Sequence, residues 1–169
     1  RTRRALCYRR DPAGGKLVPT RPPASFGDPA DATRGPNPAG GLFSTAADLA
    51  VLYQMLLKGG EHAGQRFLRS ETVTELVRPQ TGTLPVLPGI SWGLGFALIQ
   101  DPSQMESNRA YTPGSFGHAG TAGTVAWADP GRGTIHILLL QLMGLPNVAD
   151  SPMRFAFEQA ADSALRSPP

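Results

Sequence analysis

Three glycines lie three residues apart, at Gly117, Gly120 and Gly123, directly before two apolar segments. A glycine inside a strand loses packing and costs backbone entropy, so it is expected where another group must approach the backbone closely. That group could be a ligand or a second segment of the chain. His118 is the one titratable side chain here, and histidine ionises near neutral pH. We therefore expect the chemistry at residues 115–123; the alternative is a tight hairpin bend with His118 at its rim.

The two apolar segments after the glycines cover residues 124–129 and 134–142. Pro130 and Gly131 lie between them, and such residues favour a tight turn. The sequence therefore predicts an antiparallel meander of three strands, over residues 115–121, 124–129 and 134–142. The third segment is almost wholly apolar, which predicts a strand that is buried on both faces.

Upstream, the clearest element is a helix predicted over residues 46–58. Thr45 and Asp48 have the spacing of a capping box, and Gly59 follows the last helical residue. Apolar side chains then repeat at helical spacing at Leu49, Leu52, Tyr53 and Leu56. The alternating residues 91–99 predict one further strand.

Two more helices are predicted from their ends. Ser70 is expected to cap a short helix that Pro79 ends, and Pro152 is expected at the first position of a C-terminal helix. The buried stripe of that last helix is predicted to be Met153, Phe157, Ala160, Ala161 and Ala164. Helices followed by a meander and a helix laid across it indicate the α+β class. The three-strand sheet is expected to be incomplete, because one edge stays open.

The first 37 residues have a different composition from the rest. Prolines and glycines crowd residues 11–41, which predicts a long loop, with short extended pieces at 6–8 and 16–18. We expect a lead-in segment over residues 1–37 and the main domain over 38–169. The chain begins Arg-Thr-Arg-Arg without methionine, which is typical of the inside of a longer protein or of a processed product.

Charge and composition argue against several classes of function. The formal net charge of +3 comes largely from five arginines in the first ten residues, and no nucleic-acid-binding module accompanies them. No apolar run reaches the ~20 residues of a membrane span. With one cysteine and three histidines without ligand-like spacing, we expect no disulfide, no metal and no cofactor. The sequence gives no cellular compartment.

Four segments in a fixed order carry a resemblance to a known family. They are Pro38–Leu49, Leu56–Gly60, Trp92–Phe96 and Phe116–Gly120. In this order they resemble the C-terminal half of the serine β-lactamase-like family, which includes class C β-lactamases, DD-peptidases and related esterases. The match runs from about residue 38 to 165. The resemblance implies the C-terminal part of a β-lactamase/transpeptidase-like fold, with the remaining strands placed along the outer edge of the 134–142 strand.

The resemblance also implies roles for individual residues. The family uses Ser-x-x-Lys, Tyr-x-Asn and a Lys-Thr-Gly or His-x-Gly motif. His118-Ala119-Gly120 matches the third motif, so that His118 would be catalytic and Thr121 N–H would donate to the oxyanion. Gly117, Ala119 and Gly120 would bind substrate, a small ester, amide or β-lactam. Since His118 stands where β-lactamases have lysine, esterase or peptidase-like activity is favoured over penicillin hydrolysis.

The other two motifs are absent from these 169 residues, because neither lysine follows a serine by three positions and no tyrosine precedes an asparagine by two. Three interpretations follow. The chain is part of a serine hydrolase whose N-terminal half lies elsewhere and binds it, or a relative that binds a ligand or partner without chemistry, or a truncated product without function. Without the other half, self-association through the open sheet edge is expected. Trp92 and Trp127 are interpreted as core or cleft-wall residues, and His136 as a core histidine whose hydrogen bonds are satisfied.

Overall fold

The computed structural model describes residues 4–21, 33, 35–84, 86–105, 111–145 and 151–166. Its helices are α1 (Ala46–Leu57), α2 (Ser70–Leu76) and α3 (Pro152–Arg166). Its strands are β1 (Cys7–Arg10), β2 (Leu17–Thr20), β3 (Glu61–His62), β4 (Gln65–Arg66), β5 (Ile90–Trp92), β6 (Ala97–Ile99), β7 (Phe116–Ala119), β8 (Val125–Asp129), β9 (Thr134–Leu138) and β10 (Leu142–Met143).

The main sheet is an antiparallel meander of five strands in the order β5-β6-β7-β8-β9. The predicted α+β class is confirmed, whereas the three-strand count was wrong. The single strand expected over 91–99 is a hairpin of β5 and β6. It turns at Gly93, where the backbone packs so closely on Leu76 O that a side chain would collide with it, and at Gly95, whose φ is +89°.

The strand predicted over 134–142 also divides. β9 ends at Leu138, and β10 pairs instead with β1 in parallel, while β1 and β2 form an antiparallel hairpin. The β1–β2 hairpin therefore lies beside the C-terminal end of the predicted strand. β9, its N-terminal part, is the last strand of the five-stranded sheet. β9 is half-buried along most of its length, so the expectation of burial on both faces was wrong. The prediction of an incomplete sheet is confirmed.

Successive residues of the central strands point to opposite faces of the sheet and build two cores. On one face, Tyr53 and Leu56 of α1 pack with Leu98, Phe116 and Ala128. On the other face the core is Ile90, Ala97, Ile99, Tyr111, Val125 and Trp127. α1 therefore covers the first face, and α3 lies against the second, where Arg154 stacks over Trp127.

The ends of α1 follow the sequence prediction. Thr45 Oγ1 accepts a hydrogen bond from Asp48 N–H at 3.1 Å and donates one to Asp48 Oδ2 at 2.8 Å. Asp48 is thus a helix-start residue, as expected. The predicted cap of α2 was wrong by one position: Arg69 is the N-cap, without a side-chain hydrogen bond, and Ser70 is the first helical residue.

The buried stripe of α3 is polar, which contradicts the sequence prediction. Arg154 and Glu158 are each 2% exposed, whereas the predicted core residue Met153 is 38% exposed. Arg154 Nε donates to Glu158 Oε1 at 2.6 Å, and Tyr111 Oη donates to the same oxygen at 3.3 Å. Burial raises the pKa of Glu158 above its usual value, and the arginine beside it opposes this rise. These bonds replace the lost hydration of both charges, which allows α3 to bury them.

His136, in the middle of β9, contacts Tyr111 of this network. It is 4% exposed, its ring packs on Tyr111 with centroids 5.0 Å apart and planes inclined by 51°, and it faces Phe157 of α3 edge-on at 6.5 Å. Burial lowers the pKa of His136 below its usual value. Its predicted core position is confirmed, but Nδ1 is buried without a hydrogen-bond partner among the described residues, so the expectation of a satisfied ring was wrong.

We predict that Arg154→Met lowers the free energy of unfolding by about 3–5 kcal/mol, because it leaves the carboxylate of Glu158 buried without its cation. Urea denaturation followed by circular dichroism measures this change. Arg78→Ala is the control: it breaks an Arg–Glu bond of the same 2.6 Å length whose partners are 58% and 46% exposed, and it should change stability little. Equal losses in the two variants would contradict the buried-pair account.

Candidate active site

β7 carries His118 and Ala119 of the predicted His-x-Gly motif, and the strands of the described residues leave part of one of its edges open. It pairs with β8 along its whole length, from Phe116↔Ala128 to Ala119↔Val125. With β6 it pairs only at Phe116 and Gly117. Beyond Gly117, the described strands therefore leave the β6 side of β7 uncovered, and this edge begins at His118.

The backbone direction at this edge follows from the pairing. Gly120 N–H donates to Thr124 O of the β8 side at 2.7 Å. Because alternate residues of a strand direct both backbone groups to the same side, Ala119 directs its N–H and C=O to the opposite, uncovered side. A ligand that adds to this edge would meet the backbone of Ala119 first.

Thr121 lies next to this edge, but not on the strand. We expected β7 to reach residue 121, yet it ends at Ala119, and Thr121 belongs to a turn that Gly123 N–H closes by donating to Gly120 O at 2.9 Å. Gly123, the last residue of this turn, has a φ of +83°. Thr121 is exposed. Its role as an oxyanion donor stays a prediction.

The side chain of His118 is exposed and borders a shallow open pocket of about 220 Å³. The pocket lies between α1 and the β7–β8 pair, and its walls are mostly apolar. They are formed by Leu49, Tyr53, His118, Ala119, Gly120, Thr124, Val125, Ala126 and Leu139. The structure thus brings together three of the predicted site residues, His118, Ala119 and Gly120.

Tyr53 forms part of this pocket and was interpreted from the sequence only as a core residue of α1. Its hydroxyl donates to Ala126 O of β8 at 2.9 Å. Burial raises the pKa of Tyr53 to about 12, so the phenol is neutral at physiological pH. Tyr53 therefore joins α1 to the sheet beneath the pocket. The sequence signal that could have indicated this polar contact is a tyrosine among leucines on one face of the helix.

The chain itself accounts for the glycines of the motif. A Cβ at Gly117 would lie 2.7 Å from Cα and Cδ2 of Trp127, and it would collide with Ala126 O. A Cβ at Gly120 would collide with Oγ1 of Thr124. From the sequence, either a ligand or a second segment of the chain could approach these glycines. In the structure, a second segment of the chain does so. The substrate-binding roles of Gly117, Ala119 and Gly120 stay predictions.

The site offers hydrogen-bond donors and acceptors but no exposed nucleophile within the motif. Ser115, the nearest serine in the sequence, is 0% exposed. No three His, Cys, Asp or Glu side chains of the described residues lie close enough to share a metal ion. What the arrangement supplies is an imidazole and an open strand edge, which suit hydrogen bonding to a substrate carbonyl or a proton transfer beside it.

The Beta-lactamase family model matches residues 1–161. The chain therefore belongs to the beta-lactamase family, which confirms the resemblance found in its motifs.

Individual relatives are much longer than this chain. It is 35% identical over 105 residues to the esterase/beta-lactamase LipL of Mycobacterium tuberculosis, a match that covers 60% of this chain and 23% of LipL. It is 30% identical over 92 residues to a putative D-alanyl-D-alanine carboxypeptidase of Salmonella typhi, covering 53% of this chain and 20% of that protein. The chain thus spans less than a quarter of either curated relative.

Solved structures share the fold. An unliganded, selenomethionyl form of simvastatin synthase (LovD) from Aspergillus terreus superposes with a TM-score of 0.70 at 20% identity, covering 99% of this chain and 44% of LovD. EstCE1, a hydrolase with promiscuous acyltransferase activity, gives a TM-score of 0.68 at 18% identity and is covered to 43%. The chain is therefore a partial domain of the family. None of the helices in its described residues is long and apolar enough to cross a bilayer.

We predict that Gly117→Ala destabilises the chain by about 1–3 kcal/mol, because the added methyl group must displace Trp127 or the backbone of β8. Gly14→Ala is the matched control, since nothing lies within 4 Å of a Cβ at that position. Thermal unfolding of the two variants measures the difference. If both substitutions change the unfolding temperature equally, the close approach of Trp127 is not the reason for the glycine at position 117.

Proposed function

We propose that this chain is the cleft-lining part of a serine hydrolase that acts by acyl transfer on a small ester, amide or β-lactam. The observation that carries the proposal is the uncovered edge of β7, where the exposed imidazole of His118 adjoins outward-facing backbone groups of Ala119. Membership of the beta-lactamase family supports it. The name of LipL, esterase/beta-lactamase, supports the substrate class.

In the proposed reaction, the serine Oγ of another segment attacks the substrate carbonyl while the lysine of the Ser-x-x-Lys motif takes the hydroxyl proton. The carbonyl oxygen gains negative charge, for which Thr121 N–H is one donor and the N–H of the serine itself is the other. The carbonyl then re-forms, the leaving alcohol or amine takes a proton, and water releases the acid from the acyl-enzyme. His118 donates a hydrogen bond or a proton beside the leaving group. Ala119 and Gly120 form the surface along which the substrate lies.

This chemistry requires the Ser-x-x-Lys and Tyr-x-Asn motifs, which these 169 residues do not contain. We therefore propose that the N-terminal half of the same domain is the partner of this chain. Two features support β9 as its binding edge. β9 is the last strand of the main sheet. Beside it lies a groove of about 810 Å³ that is lined by residues of α1 and β9, by Lys58 and Gly133 next to them, and by Phe157.

The sequence of α1 also supports a partner on its outer side. Most of its side chains are apolar around the whole helix, yet Val51 and Leu52 are each 43% exposed. A helix that is apolar all round is typically buried on all sides. Leu42, which is 96% exposed, and Phe43, which is 47% exposed, extend this apolar surface before the helix. A second layer over α1 would remove this surface from water.

Labelling with a fluorophosphonate tests the proposed chemistry. The chain alone is expected to form no adduct, and the chain combined with the N-terminal half should be labelled once, on the added segment. In the combined protein, His118→Ala should lower kcat/KM about 10- to 1000-fold, because a donor to the transition state is lost. A stoichiometric adduct on the isolated chain would refute the proposal. A folded complex without labelling would favour the non-catalytic ligand-binding relative.

Sedimentation at micromolar concentration tests the proposed partner. The chain should self-associate when alone and should form a one-to-one complex with the N-terminal half. Ile137→Lys should weaken both, because a charge in the groove beside β9 opposes strand addition. Leu84→Lys is the control, at a loop position that is 66% exposed. A monomer that ignores the N-terminal half would refute this binding edge.

A further inference from the structure

Trp92 packs its indole against the imidazole of His118. The ring centroids are 5.1 Å apart and the ring planes are inclined by 52°. The two residues are on strands that are not neighbours, since β6 lies between β5 and β7. Trp92 is in register with Ala97, and Ala97 with Gly117, one residue before His118. The contact therefore forms at the point where β6 stops covering β7.

The backbone around Trp92 is held by the end of α2 and the segment after it. Gln80 N–H donates to Trp92 O at 2.6 Å, and Trp92 N–H donates to Thr81 Oγ1 at 3.4 Å. In the adjoining turn, Leu94 N–H donates to Leu76 O at 2.9 Å. Half-buried and bonded in this way, Trp92 presents a fixed surface to whatever lies at the edge of β7.

His118 depends on such a surface for its orientation. Its backbone is fixed by pairing with Ala126, but its side chain is exposed. An exposed imidazole has three staggered wells about χ1 and a broad χ2. A group that donates to a substrate must be within hydrogen-bond distance of it, and poor placement costs rate even when the group is present. A neighbouring ring that favours one orientation therefore affects catalysis.

We propose that Trp92 is a positioning residue, whose indole holds the imidazole of His118 in one orientation at the open edge of β7. Its consequence for the reaction rests on the proposed function, whereas the ring contact does not depend on it. Trp92 acts through His118 and takes no part in proton transfer. Its replacement should therefore change the rate only while His118 is present.

The first experiment uses the chain without any reaction. NMR of the wild-type chain should show nuclear Overhauser effects between the indole protons of Trp92 and the ring protons of His118. The His118 ring resonances should be displaced from random-coil positions, should stay displaced in Trp92→Phe and should lose the displacement in Trp92→Leu. Leu94→Ala, a 51% exposed position in the same turn, is the control and should leave them unchanged. Absence of the Overhauser effects in the folded wild type overturns the proposal, whether or not Trp92→Leu folds.

The second experiment measures the reaction of the combined protein. Trp92→Leu should lower kcat by about 10- to 100-fold with little change in KM, and Trp92→Phe should restore most of it. In a His118→Ala background, Trp92→Leu should cause no further loss, because the residue it positions is gone. Full additivity of the two losses overturns the positioning role. An intact ring contact in a combined protein that has no activity would refute the proposed function instead and leave the contact standing.

Discussion

The close packing of Trp127 on Gly117 fixes how β7 and β8 meet, and the candidate site depends on that register. Only a residue without a Cβ fits between Trp127 and the backbone of Ala126. A shift of the register by one residue would exchange the two faces of β7. It would turn Phe116 out of the core beneath α1, and it would change which backbone groups point to the open edge. The glycine at 117 thus holds the motif in place from within the core.

The two faces of the sheet are stabilised in different ways. Beneath α1, Tyr53, Phe96 and Phe116 form an aromatic cluster with centroids 5.4 to 6.1 Å apart. Beneath α3, the Arg154–Glu158 pair and Tyr111 form a buried polar network. Apolar side chains need no particular hydrogen-bond partner, whereas removing one partner of a buried ion pair leaves the other charge buried and unpaired. We infer that α3 is fixed in orientation, and that the surface around α1 is the one suited to binding a further layer.

A central strand of the sheet carries the site residues that we propose, although the chain is a partial domain of the family. β7 lies in the middle of the sheet, so its own neighbours position His118 and Ala119 without help from a strand beyond β9. Of the donors that we propose, His118 and Thr121 therefore lie within this chain, whereas the second oxyanion donor would come with the serine. The nucleophile belongs, in our proposal, to the segment that would cover β9 and α1.

Local features of the sequence were sufficient for the elements whose signals lie within a few residues. The Thr45–Asp48 cap, the glycine after α1, Pro152 at the start of α3 and the turn at Pro130 each act on their own neighbours, and each prediction is confirmed. The order of four short motifs identified the family. These signals work without tertiary contacts because caps and turns are satisfied by the adjacent backbone.

Tertiary structure alone decided what depends on residues far apart in the chain. The division of residues 91–99 into a hairpin follows from the approach of Gly93 to α2. Arg154 and Glu158 are buried because Tyr111, 47 residues before Glu158, donates to the same oxygen that Arg154 binds. The contact of Trp92 with His118 requires the hairpin, and it requires that β6 begins at Ala97, opposite Gly117, so that no residue of β6 pairs with His118. The pattern of apolar residues along the sequence does not predict such contacts. Whether a charge can be buried, or a side chain must be absent, depends on the group that lies next to it in the folded structure.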